Sequence, residues 1–93
     1  MAATVLIPQP LRPIMGDQAT VDGAVGTLSA CIEDLEVRFP GVRERMLDED
    51  GELRRFVNVY INGEDVRFED GLATVINDGD EVSIVPAVAG GAI

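Results

Sequence analysis

The clearest helical pattern in the chain opens at Thr27 and ends near Pro40-Gly41, with short alternating stretches cut by turn signals on either side. One helix among several strands leaves few packings open. At about 100° per residue, Leu28, Ile32, Leu35 and Phe39 fall within about 60° of one another, while Glu33, Glu36 and Arg38 lie further round. The helix therefore has one narrow apolar stripe to lay on a sheet. Thr27 supplies a hydroxyl that caps a free backbone N–H, and Pro40-Gly41 halts the helix. A chain of 93 residues with 46% hydrophobic side chains suits a single core. At this size only about 60% of the unfolded surface is buried, so function is expected outside the interior.

The strands are read from alternation and punctuation. Thr4-Val5-Leu6-Ile7 is a first strand closed by Pro8, and a loop containing Pro10 and Pro13 follows. Gln18 to Val21, ending at Asp22-Gly23, returns as its hairpin partner. After the helix, Val42 to Leu47 allows one more helical turn, and Asp48-Glu49-Asp50-Gly51-Glu52 is too charged and turn-prone to be anything but a solvated loop. It lacks the ligand spacing of an EF-hand. Phe56 to Ile61 is a central strand, Asn62-Gly63 a hairpin turn, and Val66-Arg67-Phe68 the returning arm. Asn77-Asp78-Gly79-Asp80 then leads into a last strand, Glu81 to Val85, stopped by Pro86.

This order gives an α+β fold with a mixed sheet packed on one main helix: a single domain over residues 1–86, and a flexible tail over residues 87–93. Alternation assigns Val5, Ile7, Val57, Val59, Ile61, Val82 and Ile84 to the helix side. The opposite face carries Leu6, Tyr60 and Val85 among polar residues. Those three are either scattered surface hydrophobes or a partner-docking patch, the latter favoured by an aromatic flanked by aliphatics beside an exposed tail. Cys31 falls at the edge of the helix stripe and is expected in the core, with a sulfur relay as the alternative.

Charge and missing residue types narrow the function. Asp and Glu number 17 against seven basic residues, for a net charge of −10. All seven are Arg, so lysine is absent, as is histidine. An acidic surface repels phosphate backbones, which argues against nucleic acid and for basic protein partners. Without histidine, a catalytic triad or zinc site is not expected, and no metal or cofactor is assigned to the chain. One cysteine cannot form an internal disulfide, no apolar run approaches the roughly 20 residues of a membrane span, and no secretory pattern opens the sequence. A cytoplasmic protein without membrane contact is the expectation.

The last residues carry the most information. Six residues from Pro86 to Gly91, extended, reach about 20 Å, enough to enter another protein's active site. Gly90 and Gly91 lack a β-carbon, so they fit a narrow channel and let a partner's backbone approach. A terminus of small residues that merely frays would share this composition.

Asp78-Gly79-Asp80-Glu81-Val82-Ser83-Ile84-Val85-Pro86-Ala87-Val88-Ala89-Gly90-Gly91 resembles the ending of the ubiquitin-like sulfur carriers of the MoaD/ThiS family. The segments Phe56 to Gly63, Val66-Arg67-Phe68, Gly71-Leu72-Ala73-Thr74 and Thr27-Leu28 resemble most the actinobacterial branch used to make cysteine. The resemblance implies a β-grasp fold and no enzymatic activity of the chain itself. It implies an E1-like adenylyltransferase/sulfurtransferase that uses ATP to adenylate the Gly91 carboxylate, which then becomes a thiocarboxylate. Val88, Ala89 and Gly90 would be read by the partner's channel. In the cysteine branch the acceptor enzyme is a pyridoxal-phosphate (PLP)-dependent cysteine synthase acting on activated serine.

Working carriers of this family end at the second glycine, whereas here Ala92-Ile93 follow. The Gly91 carbonyl is then held in an amide, which resonance makes unreactive toward ATP. The resemblance implies cleavage between Gly91 and Ala92 by a JAMM-type zinc metalloprotease; an annotation or expression artefact is the weaker alternative. Carriers for molybdopterin, thiamine, siderophore-like thioacid or tRNA thiolation share the tail and stay open as alternatives. So does a binding module that uses only its sheet surface, or an acidic inhibitor.

Overall fold

The structure is a computed structural model and describes residues 2–86. Strand β1 (Ala3–Leu6) runs into Pro8, whose extended backbone caps a 3-10 helix over Gln9–Met15. A loop was expected there. Proline presets the φ a tight helix needs, and the N–H that Pro10 lacks would have been free in a first turn. Leu11 and Met15, four residues apart, are both buried by this turn, and Gly16 ends it at φ 69°.

Strand β2 (Thr20–Gly23) pairs antiparallel with β1, as the hairpin reading requires. Gly23 packs closely against Cys31 of the helix that follows. A Cβ there would lie 2.6 Å from Val5 Cγ2 and 3.0 Å from Cys31 Sγ. Gly23→Ala is accordingly expected to cost about 1–3 kcal/mol by overpacking, read as a lower denaturant midpoint at unchanged m-value.

Two residues, β3 (Gly26–Thr27), lead into helix α1 (Leu28–Arg38), where the Thr27 hydroxyl accepts the Ala30 N–H at 3.1 Å. Its inward stripe is Leu28, Cys31, Ile32 and Leu35, all about 1% exposed, with Phe39 packed at the margin. The short helix α2 (Val42–Met46) follows, burying Val42 and Met46, and a bridge between Leu47 and Leu53 closes the acidic loop.

Strand β4 (Val57–Ile61) turns through Asn62 and Gly63, with φ of 51° and 86°, into β5 (Glu64–Asp65). Successive left-handed residues are what a tight hairpin with native twist demands. The expected returning arm Val66-Arg67-Phe68 is instead a 3-10 turn. The Asp65 carboxylate accepts the Arg67 N–H at 2.8 Å and caps it. That turn drives Val66 fully into the core and leaves Phe68 85% exposed, which a continuing strand would not do. A further 3-10 turn (Gly71–Ala73) precedes β6 (Val75–Ile76), which pairs with β3.

The last strand, β7 (Glu81–Pro86), lies in the middle of the five-stranded sheet, whose order is β2-β1-β7-β4-β5. It runs parallel to β1 and antiparallel to β4. The inner face is Val5, Val59, Ile61, Val82 and Ile84, joined by Ile7 just past β1, all buried; Val57 is half-buried against them. At the end of β7 remote from Pro86, Asn62 and Asp80 tie two turns together. Asn62 Nδ2 donates to Asp80 Oδ1 at 3.0 Å, and the Asn77 N–H donates to Asp80 Oδ2 at 2.8 Å. These donors hold the Asp80 carboxyl below the usual carboxylate range.

Candidate functional site

Strand β7 is hydrogen-bonded on both sides, to β1 and to β4, which fixes the strand that precedes the tail. Its ladder with β4 reaches Pro86, the last described residue, which sits opposite Val57. Val88, Ala89, Gly90, Gly91 and Ala92, the tail-recognition, adenylation and processing residues of the sequence reading, lie outside the described residues. What the structure positions is their root.

The three docking candidates share the outer face of the sheet. Leu6 and Tyr60 flank Ser83 in one row across β1, β7 and β4, and Val85 stands one row nearer Pro86, opposite Asn58. With strands about 4.8 Å apart, Leu6 and Tyr60 bracket β7 at a separation of about 10 Å. Both are half-buried, whereas Val85 is 42% exposed. Ser83 and Asn58 place small polar groups between them, so the face is an amphipathic strip leading to the tail.

Arg67, read from sequence only as part of a strand, closes one side of this strip. Its guanidinium donates to the Asn58 side chain and, at 2.8 Å each, to the carbonyls of Arg54 and Val57. The signal available was Asp65 two residues before it, an N-cap spacing rather than a strand one. On the other side of β7 lies a groove whose walls include Arg45, Arg54 and Phe56, also missed. It is assembled from four separate segments, and no local pattern announces that.

Cys31 is 1% exposed against β2 and the helix, and its burial, above all, pushes the thiol pKa up. The core reading holds, and a thiolate relay from this position has no physical support. Folded protein is expected to leave Cys31 unmodified by iodoacetamide at neutral pH over hours, with labelling only in denaturant; prompt labelling of the native protein would contradict this burial. Among the described residues no group of three or more potential ligands could hold a metal ion, and no helix is long and apolar enough to cross a membrane.

A mixed five-stranded sheet packed on one main helix, with the last described strand at its centre, is the β-grasp fold of the ubiquitin-like proteins. Residues 5–91 match the ThiS family. The sulfur carrier protein CysO of Mycobacterium tuberculosis is 55% identical over 93 residues, covering 98% of this chain and 100% of its own. The crystal structure of M. tuberculosis CysO superposes with a TM-score of 0.88 at 53% identity, covering 92% of this chain and 99% of that one. CysO in the Amycolatopsis orientalis BexX/CysO complex gives 0.90 at 46% identity, covering 97% and 100%. This chain belongs to the ThiS family and is a homologue of the CysO sulfur carriers.

Proposed function

We propose that the chain carries sulfur as a thiocarboxylate on Gly91 for cysteine synthesis, and that all bond-making chemistry belongs to its partners. The observation that carries this reading is full-length likeness to CysO combined with a strand β7, paired on both sides, that precedes the tail. Cleavage after Gly91 frees its carboxylate. An oxygen of that carboxylate attacks the α-phosphorus of ATP on an E1-like enzyme, and pyrophosphate leaves. A sulfide equivalent then attacks the acyl carbon and expels AMP, which takes the carboxylate oxygen with it. Adenylation is needed because a carboxylate is a poor electrophile and AMP a good leaving group.

The resulting sulfur is a tethered nucleophile. The extended stretch from Pro86 to Gly91 spans about 20 Å, so sulfur arrives at the acceptor at high effective concentration without release of free sulfide. A PLP-dependent cysteine synthase is the proposed acceptor, and its cofactor activates the serine-derived substrate. The Gly91 sulfur forms a bond to the β-carbon as the serine leaving group departs. A JAMM-type zinc metalloprotease is the proposed agent both for removing Ala92-Ile93 and for releasing the product. Leu6, Tyr60 and Val85 serve as the docking strip, and Val88, Ala89 and Gly90 thread the partner's channel.

Presenting the Gly91 thiocarboxylate to such a synthase with O-acetyl- or O-phosphoserine tests the branch. The thiocarboxylate is expected to gain one serine less water, which is one cysteine less water above the Gly91 carboxylate form. No adduct here, with sulfur instead passed to a molybdopterin or thiamine precursor, would move the chain to another branch of the family.

A further inference from the structure

Beside the root of the tail, on the face of β7 opposite Tyr60 and Val85, lies a groove of about 260 Å³. Leu11, Ile84 and Pro86 contribute its apolar walls, Phe56 stands over it 54% exposed, and Arg45 and Arg54 are part of the lining. Most of the chain's arginines are committed elsewhere. Arg38 pairs with Asp34 and Arg43 with Glu33, Arg12 Nε bonds the Ile7 carbonyl, and the Arg67 guanidinium is held by Asn58 and two carbonyls. Among the described residues Arg45 and Arg54 pair with no carboxylate; Arg54 Nε reaches only the Glu44 carbonyl, at 2.9 Å.

On a chain of net charge −10, two uncompensated guanidinium groups beside an apolar groove form a spot of reversed sign. We infer that this groove receives an extended acidic segment of the activating enzyme, with one aliphatic or aromatic side chain set between carboxylates. The inference rests on the carrier reading above and adds a second contact to it. Charge complementarity selects the acidic flanks, and the Phe56, Leu11 and Ile84 surfaces select the apolar anchor. Continuity selects the enzyme. Pro86 is a groove wall and the residue from which the tail begins, so a protein that holds Gly91 works within about 20 Å of the groove. Ile84 and Pro86 face the groove while Val85 faces the outer strip. A partner seated on both grips the end of β7 from its two faces and sets the direction in which the tail enters.

The test is ATP–pyrophosphate exchange by the E1-like enzyme, with the Gly91-ended chain as substrate. For the double variant Arg45→Gln/Arg54→Gln, KM for the carrier is expected to rise about tenfold at low salt while kcat stays within about twofold, because the groups act in docking and not at the reacting carbonyl. Raising ionic strength should shrink that difference. Arg45→Lys/Arg54→Lys keeps the charge and is expected to stay close to wild type, and Phe56→Ala should raise KM independently of salt. An unchanged KM in the glutamine variant overturns the inference, as does a fall in kcat at constant KM. A lowered KM overturns it in favour of the chain's own residues beyond Pro86 as occupant, and a shift in sedimentation from dimer to monomer in favour of a second copy. If the wild-type chain itself supports no exchange, the carrier reading fails and takes this one with it, an outcome distinct from normal exchange by wild type and variant alike.

Discussion

A chain ended at Gly91, given an E1-like enzyme, ATP and sulfide, is expected to gain the mass of sulfur replacing oxygen, and the chain retaining Ala92-Ile93 is expected to gain nothing. The difference rests on where the acid lies. In the longer chain the terminal carboxylate belongs to Ile93, two residues past the diglycine and beside a β-branched side chain that a channel fitted to glycine excludes. With Ala92 attached, the Gly91 carbonyl is an amide whose resonance removes the nucleophilic oxygen that attacks ATP. Free, it is a carboxylate at the end of an arm rooted on a strand paired on both sides. Substituting Gly91 by a bulkier residue keeps the carboxylate but adds a β-carbon in the channel, and should lower the rate without abolishing it. Intact mass after incubation reads all three. Equal conversion of trimmed and untrimmed chains would show that activation does not require the acid to be on Gly91.

Ile32→Ala is expected to damage the folded body more than Gly23→Ala does. Ile32 lies within the α1 stripe, 1% exposed, in the same buried cluster as the sheet residues Val5, Val59 and Val82. Truncation removes buried methyl groups and leaves a cavity that a helix clamped at Thr27 cannot collapse to fill. A loss of about 2–5 kcal/mol follows. Against a domain stability of about 5–15 kcal/mol that is a large fraction, and it lowers the melting temperature by on the order of 10–30 °C. Val37→Ala, on the same helix but 81% exposed, is the control and should change stability by less than about 0.5 kcal/mol. Similar melting temperatures for the two helix variants would mean that α1 does not pack on the sheet through this stripe. Loss of this packing also removes the fixed root of the tail, so activation should fail in parallel with unfolding and not before it.

Legibility from sequence tracked the range of the interaction that decides each feature. Thr27 capping Ala30, the stripe from Leu28 to Leu35 and the Asn62-Gly63 turn are settled within a few residues, and the pattern exposes them. The inner and outer faces followed from alternation, which placed Leu6, Tyr60 and Val85 together before any strand order was known. The order itself was not readable. That β7 inserts between β1 and β4 depends on pairings across most of the chain, such as Leu6 with Ser83. Pro8, Pro10 and Pro13 read as punctuation because they break strands, yet their preset φ also builds a 3-10 turn once Leu11 and Met15 have a core to enter. Val66 to Phe68 misled for the opposite reason: three residues of strand-like composition are outweighed by one carboxylate, that of Asp65. The roles assigned to Val88, Ala89, Gly90 and Gly91 rest on the family resemblance and fall outside the described residues.

The most direct measurement is tandem mass spectrometry of the sulfur-loaded protein, locating the added atom. Sulfur in place of an oxygen on the Gly91-terminated fragment, with Cys31 an unmodified thiol, is the result expected. Sulfur added to Cys31 as a persulfide, with Gly91 an ordinary acid, would contradict the account at its centre.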